Sequence, residues 1–284
     1  GYRYLLLPDE IRIDGKLERK LRAFRDQGGK LILSGASGLK QGEDVFALEL
    51  PIEGGAENGL SPDYVKGAPG IAPDFAKTPF VMYLPSRRVK AKAGVSLGEV
   101  FDPYFNRDYR HFCSHQHTPN RPEPSGYDAG VMTDDVLYFA HPVFSIYRSY
   151  GAVALQAFVL NALRRFMGGE VPVQLEGMPT TGRVTLMRQQ AEKRDVLHLL
   201  YANTVNRGGG GVPVPGETWE GHPIEVIEEL TPIGPVRAAV RAEAPVKSVK
   251  LVPAGTELPF EQKDGRGVFT VPVFTCHQMV ELAY

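Results

Sequence analysis

The chain has 284 residues, 43% hydrophobic and 23% charged, which is ordinary for a globular protein and long enough for two domains. Its net charge of −1 gives no support to a nucleic acid or an anionic membrane as partner. The two cysteines, Cys113 and Cys276, lie far apart, which argues against a disulfide framework and favours a reducing, cytoplasmic compartment. No apolar run reaches the roughly 18 residues that span a bilayer, and we expect no signal peptide.

The first residues predict an α/β domain. Residues 2–7 (YRYLLL) form an apolar run typical of a buried strand, and residues 30–33 form another. Between them, residues 16–27 have the spacing of an amphipathic helix, with Asp14 as N-cap and Gly28-Gly29 as its end. A strand, a helix and a strand with short connections make a βαβ unit, so the two strands should be parallel neighbours.

The following segment, residues 39–103, is less regular. Its glycines and prolines mark loops, and alternating Phe46, Leu48 and Leu50 suggest a short strand or one helical turn. The stretches PFVMYLP and RRVKAK are further candidate strands.

The domain closes with a hairpin and a helix. Residues 130–132 and 136–139 predict paired strands around a turn at residues 133–135. The second strand leads past His141-Pro142 into one long helix, predicted from Ser145 to Met167 and ended by Gly168-Gly169.

From about residue 170 the pattern becomes all-β. Residues 184–186 and 196–201 flank a polar turn and predict a hairpin, and a flexible glycine-rich insert follows from Asn206 to Pro215. Short turn-bounded strands continue to Leu282 and predict a β-sandwich. We therefore expect an α/β domain at 1–169 and a β-sandwich domain at 170–284.

Histidine, cysteine and aromatic residues are concentrated between residues 104 and 124. If this stretch is extended, alternate side chains point the same way, and four zinc-type ligands converge: His111, Cys113, His115 and His117. Their spacing matches no metal signature, so we expect neither a metal nor a cofactor here. The prediction is an interface or substrate-proximal loop, with a purely structural loop as the alternative; its residues are Tyr104, Arg107, His111, Cys113, His115 and His117.

Two kinds of residue are candidates for catalysis, nucleophiles and carboxylates. Cys113, with a histidine as base, or Ser34 in the SGASG loop could act as a nucleophile, but neither lies on a complete nucleophile elbow, and turn formation explains the serines better. The carboxylates Asp9, Glu10 and Asp14 could serve glycoside hydrolysis, although carboxylates between a strand and a helix are more often caps and solvated charges.

The order of these segments resembles a known kind of domain. YRYLLLPDE, FRDQGGKLILSGASGL and the stretch VMTDDVLYFAHPVFSIYRSYGAVALQAFVLNAL resemble the trimerisation domain of family 42-type β-galactosidases. HFCSHQHTP, RVTLMRQQ, VLHLLYAN and TCHQMVELAY are closer to bacterial proteins related to α-L-fucosidases. The resemblance covers nearly the whole chain.

The resemblance implies a flavodoxin-like, glutamine-amidotransferase-like α/β domain, incomplete at its N-terminus, followed by a β-sandwich. It implies that the catalytic carboxylates belong to an upstream barrel, so none is assigned to this chain. The predicted function is assembly and active-site support in a cytoplasmic glycoside hydrolase, with self-association into a homo-oligomer such as a trimer. The alternatives are an independent amidotransferase-like or hydrolase-like enzyme using Cys113 or Ser34, and a metal-binding module.

Overall fold

The computed structural model describes residues 2–168, 171–207 and 224–284. The chain divides into two units, Gly1–Gly168 and Gly169–Tyr284. Both are rich in β-structure, and the described residues form several sheets and few helices. None of the helices in these ranges is long and apolar enough to cross a membrane.

The first unit contains all three α-helices of the described residues. Its elements in order are β1 (Tyr4–Leu7), α1 (Gly15–Asp26), β2 (Lys30–Ser34), β3 (Ile52–Glu57), β4 (Tyr64–Gly67), β5 (Phe80–Val81), β6 (Arg87–Ala91), β7 (Val95–Ser96), β8 (Gly98–Phe101), β9 (Gly130–Met132), β10 (Val136–Phe139), α2 (Val143–Tyr150) and α3 (Val153–Met167).

A five-stranded sheet with the order β1-β2-β10-β9-β7 forms the centre of this unit. Strands β1, β2 and β10 are parallel, with Leu31 between Leu5 on one side and Val136 on the other. Strand β9 pairs antiparallel with β10. The βαβ unit and the hairpin predicted from the sequence are both confirmed. The carboxyl ends of the three parallel strands meet at one edge, where Asp9, Ser34 and His141 follow.

Helices and loops cover both faces of the sheet, which explains why its strands are continuous apolar runs. Leu137 and Phe139 pack in one buried cluster with Phe158 of α3. Tyr138 and Leu33 pack in a second cluster that also contains Leu21 of α1.

The single long helix predicted for Ser145–Met167 is wrong, because the structure has two helices there. Gly151 ends α2 in the left-handed conformation, with φ of 59°, and its N–H donates to the carbonyl of Tyr147. Glycine adopts this conformation at little cost, and it breaks the regular helical path. The apolar spacing continues across the break, so spacing alone did not reveal it.

Other local predictions gave mixed results. Asp14 caps α1 by accepting a hydrogen bond from Leu17 N (2.7 Å), as predicted. Phe46, Leu48 and Leu50 form neither a strand nor a helical turn; Phe46 makes an isolated bridge to Leu39, and Leu48 and Leu50 are buried. These side chains pack under α1 in irregular backbone, which alternation cannot distinguish from a strand.

All regular elements in the described part of the second unit are strands. They are β11 (Val173–Glu176), β12 (Arg183–Gln189), β13 (Arg194–Tyr201), β14 (Val205–Arg207), β15 (Ile224–Val226), β16 (Val236–Arg241), β17 (Ser248–Val252), β18 (Thr256–Glu257), β19 (Phe260–Lys263), β20 (Arg266–Val271) and β21 (Cys276–Ala283).

Two larger antiparallel sheets make up most of the described part of this unit, with orders β11-β16-β20-β19 and β12-β13-β21-β17-β18, and β14 and β15 form a separate antiparallel pair. Side chains from both sheets, such as Ala238 and Leu197, share one buried cluster. The β12–β13 hairpin is confirmed. The predicted flexible insert Asn206–Pro215 lies, from residue 208 onward, outside the described residues.

Candidate functional site

The predicted site residues lie in an irregular loop, residues 104–118, which we call the exposed loop. It is held by its own polar groups. The carboxylate of Asp108 accepts hydrogen bonds from the backbone N–H groups of Arg110 (2.6 Å) and His111 (2.7 Å). The Arg107 guanidinium donates to the carbonyl of Gln116 (2.7 Å). The N–H groups of His111 and Arg110 also hold the pKa of Asp108 below its ordinary value, since they stabilise the carboxylate.

The four zinc-type residues of this loop do not converge, because the stretch is not extended. The Sγ atom of Cys113 lies 3.5 Å from the carbonyl oxygens of His115 and His117, and so contacts backbone rather than imidazole. His111 lies against Phe105. Within the described ranges, no group of three or more His, Cys, Asp or Glu side chains is arranged to hold a metal ion.

The ring of His117 instead packs against one of two stacked tyrosine rings. Tyr83 stacks on Tyr150 at 4.2 Å between centroids and 11° between planes, and it meets the ring of His117 edge-on at 5.5 Å. Tyr150 is the last residue of α2, directly before the break at Gly151. The helix break therefore places an exposed aromatic ring beside the exposed loop.

The exposed loop also presents large apolar side chains to solvent. Tyr104, Tyr109 and Phe112 are 53%, 81% and 70% exposed. The guanidinium of Arg110 lies 5.0 Å from the centre of the Tyr109 ring. Exposed aromatic and arginine side chains together are typical of a contact surface.

A set of polar side chains at the base of the loop, which we call the polar network, was missed by the sequence analysis. It comprises Asn58, Asp63, Ser86, Arg88, Asp102 and His141.

The centre of the polar network is a buried ion pair or hydrogen bond. His141 Nε2 lies 2.5 Å from Asp63 Oδ1, and the side chains are 1% and 0% exposed. The other oxygen of Asp63 accepts from the hydroxyl of Ser86 (2.6 Å) and the amide of Asn58 (2.9 Å). Burial alone would raise the pKa of the Asp63 carboxyl, but His141 and these donors hold it below its ordinary value.

The polar network reaches the start of the exposed loop, and a separate hydrogen bond holds the end of the loop. Arg88 pairs with Asp102 at 2.9 Å and donates to Asn58 Oδ1 at 2.8 Å. At the other end, the hydroxyl of Tyr64 donates to the carbonyl of Thr118 (2.6 Å). Residues 102 and 118 are thus both held by side-chain contacts, so the exposed loop between them is fixed at both ends. The sequence YFAHP places His141 straight after a buried strand, but no local pattern links it to Asp63.

The serines of the SGASG loop are structural. Both Ser34 and Ser37 are fully buried. Ser34 Oγ donates to Asp9 (2.6 Å) and accepts from the Asp9 N–H (2.8 Å), while Ser37 Oγ accepts from Ile11 N (3.0 Å). No histidine is hydrogen-bonded to either hydroxyl among the contacts of the described chain. The turn-forming explanation of these residues is confirmed.

Asp9 likewise holds structure together. Its carboxylate accepts from Ser145 N (2.5 Å), Ser145 Oγ (2.7 Å) and Phe144 N (3.4 Å), all in the first turn of α2. A carboxylate stabilises a helix N-terminus by satisfying free N–H groups and by interacting with the helix dipole. The interpretation as caps and solvated charges is therefore confirmed: Asp14 caps α1, Asp9 caps the distant α2, and Glu10 is exposed.

Comparisons with known proteins agree with this architecture. The structure is similar to the α-L-fucosidase isoenzyme 2 of Paenibacillus thiaminolyticus, with 36% identity and a TM-score of 0.89. The likeness covers all of this chain and 41% of that one. The resemblance predicted from the sequence is confirmed. No protein-family model and no curated protein sequence matches the chain.

The likeness to β-galactosidases is more distant. A cold-adapted β-galactosidase from Rahnella sp. R3 matches over 99% of this chain and 32% of its own, with 12% identity and a TM-score of 0.51. At this identity the match describes the fold alone. The chain spans about two fifths of the fucosidase and about a third of this β-galactosidase. The similarity thus connects the chain with segments of glycoside hydrolases.

Proposed function

We propose that the chain is a non-catalytic segment for assembly and active-site support in a cytoplasmic glycoside hydrolase of the α-L-fucosidase type. In this proposal the catalytic barrel lies upstream in the same protein. The observation that carries it is the likeness to part of the Paenibacillus fucosidase over the whole of this chain. A β-galactosidase-type enzyme has weaker support, since that likeness concerns fold only.

The engaged state of the candidate catalytic groups supports a non-catalytic role. Ser34 and Asp9 bond each other and the start of α2, and Cys113 contacts backbone carbonyls. A nucleophile needs a base within hydrogen-bond reach, and among the described residues no histidine ring is hydrogen-bonded to the hydroxyl of Ser34 or the thiol of Cys113. The described residues therefore offer no specific observation that favours the alternative, an independent enzyme using Cys113 or Ser34.

The exposed loop is the proposed contact surface. Tyr104, Arg107, His111, Cys113, His115 and His117 lie on or near it, with Tyr109 and Phe112 at the most exposed positions. We propose that it contacts a second copy of the protein in a homo-oligomer, with a trimer as the expected form. There it would lie near carbohydrate bound in the neighbouring copy's active site. The anchored base suits this role, because an ordered surface loses less entropy on binding.

Two finer points belong to the same proposal. The parallel strands β1, β2 and β10 with the α1 crossover support a flavodoxin-like, amidotransferase-like domain. Both cysteines are free, which supports a reducing, cytoplasmic location.

The test is to express the complete open reading frame that encodes this chain and assay it on aryl α-L-fucosides. We expect hydrolysis by the complete product and none by residues 1–284 alone. Hydrolysis by residues 1–284 would overturn the non-catalytic role, and an inactive, folded complete product would overturn the glycosidase assignment.

A matched pair of variants tests the exposed loop in the complete product. Phe112→Ala removes a ring that is 70% exposed in the loop, and Phe75→Ala removes one that is 63% exposed elsewhere. We expect kcat/KM to fall by about tenfold or more for Phe112→Ala, the size of a moderate interface hot spot, and to stay within about twofold for Phe75→Ala. Equal effects of the two variants would contradict the role of the loop.

A further inference from the structure

A pair of histidines lies on the second unit, far in sequence from the exposed loop. His198 is in β13 and His277 in β21, and the two strands are hydrogen-bonded neighbours. Their rings are 5.4 Å apart between centroids and nearly parallel, with 14° between planes. His198 Nδ1 lies 3.3 Å from His277 Nε2.

The sheet register places both rings on the surface. His198 lies opposite Met279, and His277 opposite Leu200, so all four residues are on one face of the sheet. The neighbouring residues Leu197, Leu199 and Val280 point to the other face and form the core. His198 is half-buried and His277 exposed, so a dissolved cation can reach the pair.

The separation of the nitrogens fits a shared metal ion. Imidazole nitrogens bind zinc at about 2.0–2.1 Å, so two of them in a tetrahedral site lie about 3.3–3.4 Å apart. The observed 3.3 Å agrees with this value. Because imidazole lone pairs lie in the ring planes and the two rings are nearly parallel, binding one ion requires the rings to turn toward each other.

We propose that His198 and His277 form a two-histidine site for a divalent transition-metal cation. No third His, Cys, Asp or Glu is arranged beside them among the described residues, so water or a ligand from outside completes the coordination. Imidazole suits Zn²⁺, Ni²⁺ and Cu²⁺, and the general order of affinities puts Cu²⁺ first. An open coordination position is the arrangement that lets a metal take a further ligand.

The experiment titrates the full chain with Ni²⁺ and with Cu²⁺ by isothermal calorimetry. A chelating pair holds its ion more tightly than a single imidazole, so His198→Ala and His277→Ala should each weaken binding by about tenfold or more. Val273→Ala removes a side chain that is 60% exposed on the same unit and has no metal-binding atom, so it serves as the control, with affinity expected within about twofold of the wild type. The Cu²⁺ electron paramagnetic resonance spectrum should show two nitrogen ligands in the wild type and one in either pair variant.

Several results would overturn the site. They are wild-type-like affinity in His198→Ala or His277→Ala, an equal loss in Val273→Ala, or no saturable binding by the wild type. Circular dichroism checks that each variant is folded, and His277→Gln supplies a second, polar replacement. If any of these results is found, the contact between His198 and His277 is a hydrogen bond only.

Discussion

The exposed loop and the polar network are adjacent in the fold but use similar side chains in opposite ways. Asp108 in the loop is solvent-exposed and contacts near neighbours in sequence, namely the backbone of Arg110 and His111 and the exposed His111 ring. Asp63 in the network is instead fully buried and bonds three other side chains, two of them distant in sequence. Likewise, His111 is exposed and His141 is buried beside a carboxylate. A buried polar group contributes through its fixed partners, and an exposed one is available to a partner molecule.

The largest effect is expected from breaking the centre of the polar network. Asp63→Ala leaves His141, Ser86 and Asn58 buried without their shared acceptor, and we expect the free energy of unfolding to fall by about 3–5 kcal/mol. Asp108→Ala, in the exposed loop, should cost much less, because water can satisfy the N–H groups that this exposed carboxylate releases. Urea unfolding followed by circular dichroism measures both, and similar costs would remove the distinction between the two regions.

Acid should weaken the same centre. The pKa of Asp63 is lower in the folded protein than its ordinary value of 3.8. Between the two values the unfolded chain binds more protons, so this carboxylate stabilises the fold above pH 3.8 and the stabilisation is lost as pH falls through the folded-state pKa. Unfolding free energies measured from pH 6 downward, about the range where carboxylates titrate, should therefore fall more steeply in the wild type than in Asp63→Asn. Parallel curves would show that Asp63 does not contribute in this way.

A smaller effect is expected at the helix break that positions Tyr150. Gly151 has a φ of 59°, and nothing lies within 4 Å of an added Cβ, so Gly151→Ala meets backbone strain without a clash. We expect a loss of about 1–2 kcal/mol in thermal or urea unfolding. Gly59→Ala is the control, since Gly59 is equally open and has no positive φ. A neutral Gly151→Ala would mean that the break tolerates other conformations.

The smallest effect on stability is expected at the tip of the exposed loop. Tyr109 is 81% exposed, so Tyr109→Ala should change the free energy of unfolding by less than about 0.5 kcal/mol. Sedimentation equilibrium should nevertheless show weaker self-association than in the wild type or in Phe75→Ala. Unchanged association would place the interface elsewhere on the molecule.

The difference between local and long-range contacts explains which parts of the structure could be predicted from the sequence. The buried strands β2 and β10 have local apolar patterns, and α1 has its cap and its glycine stop, so these elements follow from neighbouring residues. The exposed loop was recognisable from its composition. The polar network was not, because Asp63 and His141 are 78 positions apart and each looks like an ordinary loop residue. The break at Gly151 was also missed, since α2 and α3 continue one apolar pattern.

The bond between Asp9 and α2 has a consequence for the order of folding. Asp9 and Ser145 are 136 positions apart, so the helix receives its N-terminal acceptor only after a long loop has closed. With eight residues, α2 is too short to persist alone in water. We therefore infer that α2, and with it the position of Tyr150, becomes ordered only once β1 and β2 have assembled around Asp9 and Ser34. The stacked rings of Tyr83 and Tyr150 would then be among the last parts of this unit to form. Contacts of these rings with a partner would follow completion of the sheet.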